Sequence, residues 1–255
     1  MSIRARAALL LLVLASSLAR AGDVPRAVTL AAAASLRPVL PELIEAFQGG
    51  LGAPAIEVSY GASGALRAQV EAGAPIDAVL FASPDEVDAL VAKDLVDPVT
   101  RRSIATNTLV LIGPREGPAV HFDSLATLPP GERIAIGDPR SVPAGRYAQQ
   151  ALTALGSWDA LAPRFVLGAD VAGVLAIVRR GEAAAGIVYE TDARPFDDVR
   201  VLDRASGAWA PRVELVAAVV RASPRADEAA RFLAFATSPG GRSILSAHGF
   251  GPPRP

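Results

Sequence analysis

The chain of 255 residues contains no cysteine. That excludes disulfides, thiolate metal sites, cysteine nucleophiles and a lipid-modified cysteine behind a leader. Histidine is nearly as scarce. His121, in a segment flanked by Pro and Gly, and His248, beside Gly249-Phe250, are the only two and do not make a helical ligand pair. A metal-ion site or a serine–histidine mechanism has little to draw on. With three Tyr, two Trp and no basic block, nucleic-acid binding is not expected either. Gly61-Ala62-Ser63-Gly64 imitates a nucleophile elbow, but G-x-S-x-G needs glycine at position 65, where Ala65 stands. An enzyme is therefore not expected, and a secreted hydrolase is the weaker alternative.

No apolar run approaches the roughly 20 residues of a membrane-spanning helix. The start of the chain has a different character. Arg4 and Arg6 precede the apolar run from Ala7 to Ala15, and Ala19-Arg20-Ala21 precedes Gly22. A basic start, a short apolar core and small residues two apart read as a secretory signal peptide over residues 1–21. Its removal takes away Arg4, Arg6 and Arg20 and no acid, so the formal net charge goes from −1 to −4. The expected product is soluble and periplasmic.

The rest alternates strand and helix patterns. Ala27 to Ala34, broken only by Thr29, reads as a strand buried on both faces. Leu36, Val39, Leu40, Leu43, Ile44 and Phe47 then predict an amphipathic helix capped by Ser35, with Pro41 inside it as a kink. The unit repeats at Ile56–Tyr60 and at Ala78–Ala82, the latter followed by the capping-box pattern Ser83-Pro84-Asp85-Glu86. Further strands are expected at Leu109–Ile112, Ile134–Gly137, Phe165–Leu167, Gly186–Tyr189 and Val213–Val220, with a helix capped by Asp170. This is the pattern of an α/β protein, whose ligands bind outside the carboxyl ends of the strands.

Four helix starts lie there: Ser35, Ser63, the Val142-Pro143-Ala144-Gly145 turn and Asp170-Val171. Free N–H groups and the helix dipole make each a potential anion site, and Gly64 and Gly145 suggest close approach of backbone to ligand. Arg67 and Arg146 are either counter-charges or outward-facing helix residues. Glu190, Asp192, Asp197 and Asp198 read as a solvated acidic patch.

Taken in order, Ala32-Ala33-Ala34-Ser35-Leu36, Ala62-Ser63, Glu71 to Asp77, Gly137-Asp138-Pro139, Val142 to Gly145, Asp170-Val171 and Gly186 to Tyr189 resemble the periplasmic molybdate-binding proteins of ABC importers. The likeness runs from about Val28 to Phe250. It implies a two-lobed, type II periplasmic binding protein fold with the ligand in the interlobe cleft. The lobes would be residues 22–105 with 217–255, and residues 106–216. It also implies capture of molybdate or tungstate by Ser35 and Ser63 from one lobe and Ala144, Val171 and Tyr189 from the other. These residues would contact the oxygens of the anion rather than the metal itself. Delivery to a membrane permease follows, with no cofactor and a monomeric protein. The sequence departs from the family where Ala62 and Gly64 flank Ser63, leaving one hydroxyl in that loop. The proposed contacts are all donors, which suits a fully deprotonated dianion better than phosphate. Sulfate is also such a dianion, and only pocket size would exclude it.

Overall fold

The computed structural model describes residues 26–253, so the expected signal peptide lies outside the described residues. The strands are β1 (Val28–Ala33), β2 (Ile56–Gly61), β3 (Ala78–Phe81), β4 (Arg102–Asn107), β5 (Leu109–Pro114), β6 (Ile134–Gly137), β7 (Phe165–Gly168), β8 (Ala185–Tyr189), β9 (Val199–Arg204) and β10 (Val213–Val219). The helices are α1 (Leu40–Gln48), α2 (Ser63–Glu71), α3 (Pro84–Ala92), α4 (Pro143–Ala154), α5 (Trp158–Leu161), α6 (Val171–Arg179), α7 (Glu190–Ala193), α8 (Ala226–Ala236) and α9 (Pro239–Ala247). None of them is long and apolar enough to cross a membrane.

The strands form two five-stranded sheets, ordered β2-β1-β3-β10-β4 and β7-β6-β8-β5-β9. Both follow one plan: three parallel strands, then an antiparallel strand, then an antiparallel edge. The chain leaves the first sheet after Asn107 and returns to it at Val213. The expected limits at 105 and 216 thus fall within β4 and β10. Two of the four edge strands, β4 and β9, carry no long apolar run. RSIATN and VRVLDR are only partly buried, which is why their patterns give no strand signal in the sequence.

Alternation along the first sheet sends its side chains to two cores. Leu30, Leu80, Leu215 and Ala217 pack with Leu40, Leu43, Phe232, Leu233 and Leu245, so α8 and α9 cover this face. Val79, Phe81, Val216 and Ala218 pack with Leu66, Val87 and Leu90 on the other. Each fully buried Leu or Phe is worth about 1.5–3 kcal/mol relative to exposure. The second sheet has its own core, from Val110, Ile112, Ile136, Leu152, Val174 and Ile187.

One segment differs from its sequence reading. After β1 the chain makes a 3-10 turn, Ala34–Leu36, and α1 begins only at Leu40. Pro41 therefore occupies the first helical turn, where its missing N–H costs little, and it does not kink the helix. Ser35 lies within the tight turn and caps no helix.

Candidate functional site

Strand register builds the site. Ala33 at the end of β1 pairs with Gly61 at the end of β2, so the Ser35 turn and the start of α2 emerge side by side. In the second sheet Gly137 pairs with Gly168, which brings together the starts of α4 and α6. Tyr189 ends β8 beside them. The two sets face each other, and Ser35, Ser63, Ala144, Val171 and Tyr189 all line one cavity between the lobes, with Ala34, Ala82, Val142 and Asp170. The room for a water-sized body is about 10 Å3. That is about the least that holds one water, far below the roughly 300–1,000 Å3 of pockets for drug-sized ligands. Wider depressions of about 450 and 460 Å3 lie elsewhere. In the first of these the one fully buried acid, Asp77, is already bonded to Arg26, Thr29 and Ser223.

Apart from the Asp170 carboxylate, the lining offers mainly donors. Ser63, Ala144 and Val171 stand in the first turns of α2, α4 and α6, where N–H groups have no intrahelical acceptor. Pro143 has no N–H, so Ala144 offers the first one of α4. Asp170 caps α6 by accepting from Gly173 N at 2.8 Å, which occupies that oxygen. Ser63 Oγ accepts from Ala82 N at 3.1 Å, which leaves its proton free to donate. Ser35 Oγ and the Tyr189 hydroxyl are buried and have no hydrogen-bond partner among the described residues. Burial first, then Tyr147 and Asp192, push the Tyr189 hydroxyl well above the usual tyrosine range, against the opposing pull of Arg146. It is a donor at any physiological pH.

Several readings of individual residues need correcting. A Cβ at Gly64 would lie 2.6 Å from the Ser141 carbonyl oxygen of the opposite lobe, and one at Gly145 would strike the Gly137 carbonyl. These glycines let backbone approach backbone, not ligand. Ser83 does not cap α3 with its side chain; it lies close to Tyr147 across the cleft. Its companion Glu86 is buried between Arg67 and Arg146, so neither arginine is a free counter-charge or an outward-facing residue. Sequence reasoning missed Glu86 because S-x-x-E is so common a helix-start signal. Glu190 turns to Arg204, away from the cavity. His121 lies near Asp203 and His248 near Glu42, so neither histidine meets Ser63.

Asp192 is the other surprise. It is buried, not part of a solvated patch, and accepts from Tyr189 N at 3.0 Å. Burial, with Asp170 nearby, raises its pKa to about 7, the Tyr189 N–H pulling the other way. The unfolded chain ionises this group near pH 4 while the folded chain still holds the proton. Its contribution to stability should therefore fall as pH rises from about 4 to about 7 and then level off. Asp192→Asn keeps an acceptor for Tyr189 N and removes the titration. Urea unfolding at pH 4.5 and 7.5 should show the wild type losing on the order of a few kcal/mol more than Asp192→Asn over that interval. Parallel pH profiles would contradict this.

Two α/β lobes closed over a cavity at their strand ends are the architecture of a periplasmic binding protein. The chain belongs to the bacterial extracellular solute-binding protein family, whose model matches residues 28–251. It is 34% identical to the molybdate-binding protein ModA of Escherichia coli (strain K12), over 98% of this chain and 97% of that protein. Among solved structures, the periplasmic molybdate-binding protein of Azotobacter vinelandii superposes with a TM-score of 0.81 at 22% identity, covering 89% of this chain and 100% of that one. The sulfate-binding protein SubI of Mycobacterium tuberculosis H37Rv gives 0.76 at 20% identity, with 89% and 86% covered. The fold alone is thus shared by binders of different oxyanions.

Proposed function

We propose that this chain is the exported, periplasmic binding component of an ABC importer and captures molybdate or tungstate without catalysis. Ser35 and Ser63 from one lobe would hold the oxyanion together with Ala144, Val171 and Tyr189 from the other. The observation that carries this reading is the pair of buried hydroxyls, Ser35 Oγ and Tyr189 OH, unpartnered among the described residues in one cavity between the lobes. A buried polar group without a partner is costly, so such a pair marks where a ligand supplies the acceptors.

The chemistry supports a dianion. Hydroxyls and N–H groups at helix starts match oxygens that carry no proton, whereas phosphate near neutral pH would also need an acceptor. The curated relatives named for molybdate binding support the choice among dianions. The moving bodies would be the two sheets with their helices, hinged at Thr108 and within residues 205–212. Docking to a membrane permease, action as a monomer and the lack of any cofactor belong to the same reading.

Sulfate is the second reading, because it too is a dianion without a proton at neutral pH. Molybdate and tungstate are larger than sulfate, and a cage anchored on packed helix starts has little freedom to shrink. Sulfate losing two donors would bind about 3–6 kcal/mol more weakly, at least roughly a hundredfold. Titration calorimetry should give one site per chain, with molybdate and tungstate within about tenfold of each other and sulfate and phosphate far weaker. Displacement of bound molybdate by equimolar sulfate would reverse the assignment.

A further inference from the structure

Outside the cavity lining, the lobes are joined by a charge contact. Glu86, in the first turn of α3, is 5% exposed at its side chain. Its Oε2 lies 2.7 Å from Nε of Arg67 on α2, in the same lobe. Its Oε1 accepts a hydrogen bond from Nη2 of Arg146 on α4, in the opposite lobe. None of the three residues lines the cavity. We propose that Glu86 is a positioning residue that holds the cleft shut, taking Arg146 only when the lobes meet and thereby setting how long the oxyanion stays bound. This deepens the proposed function and rests on it.

Three features suit Glu86 to a reversible contact. First, its carboxylate stays paired when the lobes part. Arg67 holds it from the same lobe, and Arg67 is itself steadied by Glu71 at 3.0 Å, which Lys93 meets at 2.7 Å. Stranding a buried charge without a partner is strongly unfavourable, so a carboxylate meeting only Arg146 would lock the cleft. Second, the carboxylate sits at a helix N-terminus, where the dipole favours negative charge. Third, Arg146 lies two residues after Ala144 on the same helical turn. Drawing Arg146 onto Glu86 therefore draws the Ala144 N–H over the cavity. Arg146 N–H donates to Val142 O at 3.2 Å, tying the side chain's anchor to the cavity wall. The neighbouring Tyr147–Ser83 contact and the Gly64 N to Ser141 O bond at 3.0 Å extend the seam.

A contact of this kind acts on the closed fraction and is blind to the anion. Apparent affinity scales with the population of the binding-competent state, and removing one partner of a buried charge pair is felt chiefly in dissociation. Glu86→Gln and Arg146→Gln should each speed molybdate dissociation about tenfold and leave association within about threefold. The same factor should appear with tungstate. The double variant should be no worse than either single one, because both remove one interaction. Arg146→Lys, which keeps a charge within reach, should recover part of the loss.

Stopped-flow dissociation of molybdate from the purified mature protein tests this, with thermal unfolding of each ligand-free variant as the control for folding. Arg146→Gln leaves Glu86 paired with Arg67, so it carries the test even where Glu86→Gln folds poorly. Dissociation unchanged in Arg146→Gln, or additive losses in the double variant, would overturn the proposal while molybdate binding by the wild type stands. A wild type that binds no molybdate overturns the proposed function instead. The contact is then read by small-angle scattering of the ligand-free proteins, where a wild type no more compact than Arg146→Gln overturns it.

Discussion

Replacing Tyr189 by Phe is expected to weaken oxyanion binding by about 10- to 150-fold while leaving the ligand-free protein as stable as before, or more so. The ring is buried and its packing survives the change. What disappears is one O–H donor without a protein partner. A hydrogen bond to a charged acceptor is worth about 1.5–3 kcal/mol, which sets the range in affinity. In the ligand-free state a buried hydroxyl lacking a partner is itself a cost, and the substitution relieves it. Ser35→Ala should behave alike. Ser63→Ala should not, because its oxygen accepts from Ala82 N and deleting it strands a buried N–H. That variant loses stability as well as affinity. Calorimetric titration beside thermal unfolding separates the two patterns. A stability loss in Tyr189→Phe as large as in Ser63→Ala would mean that the tyrosine hydroxyl has a structural partner.

Gly64→Ala is expected to abolish tight binding by a wholly different route. Within its own lobe the substitution is benign, since the position is in the first turn of α2 and alanine favours a helix. Across the cleft the added methyl would lie 2.6 Å from the Ser141 oxygen and 3.0 Å from its Cα, both backbone atoms that cannot swing aside. Closure then stops short, and the Gly64 N to Ser141 O bond is lost with it. The cavity donors come from both lobes, so an anion held in the partly open cleft meets only one set. Losing two or more bonds to a charged ligand corresponds to roughly a hundredfold or more in affinity. Scattering should show the wild type compacting on adding molybdate and Gly64→Ala failing to do so. Wild-type affinity in Gly64→Ala would show that the lobes need not close to this degree.

The residues differ in how much of this they disclose in the sequence. Buried parallel strands such as Val28–Ala33 and Ala78–Phe81 are legible because both faces are apolar and the next residues start a turn or helix. Strands β4 and β9 are not, because polar and charged residues interrupt their few apolar ones. Ser35, Ser63, Ala144, Val171 and Tyr189 could be named together only through the family likeness. No local pattern says that ends of β1, β2, β6, β7 and β8 from two sheets will meet. Pairings across the cleft left no trace at all. Glu86 reads as half of a capping box, Arg146 as either a counter-charge or an outward-facing residue and Asp192 as part of an acidic run, because each assignment depends on a partner more than ten residues away or on burial. Pro41 reads as internal to the helix for a simpler reason: a 3-10 turn and an α-helix share their apolar spacing over the first turn.

The most direct test is a crystal structure grown with molybdate, with an anomalous difference map collected at the molybdenum absorption edge. The expected result is one peak per chain in the interlobe cavity, with ligand oxygens about 2.6–3.1 Å from Ser35 Oγ, Tyr189 OH and the N–H groups of Ser63, Ala144 and Val171. A peak elsewhere, or a cavity that stays without one while the anion binds in solution, would contradict the assignment of these residues.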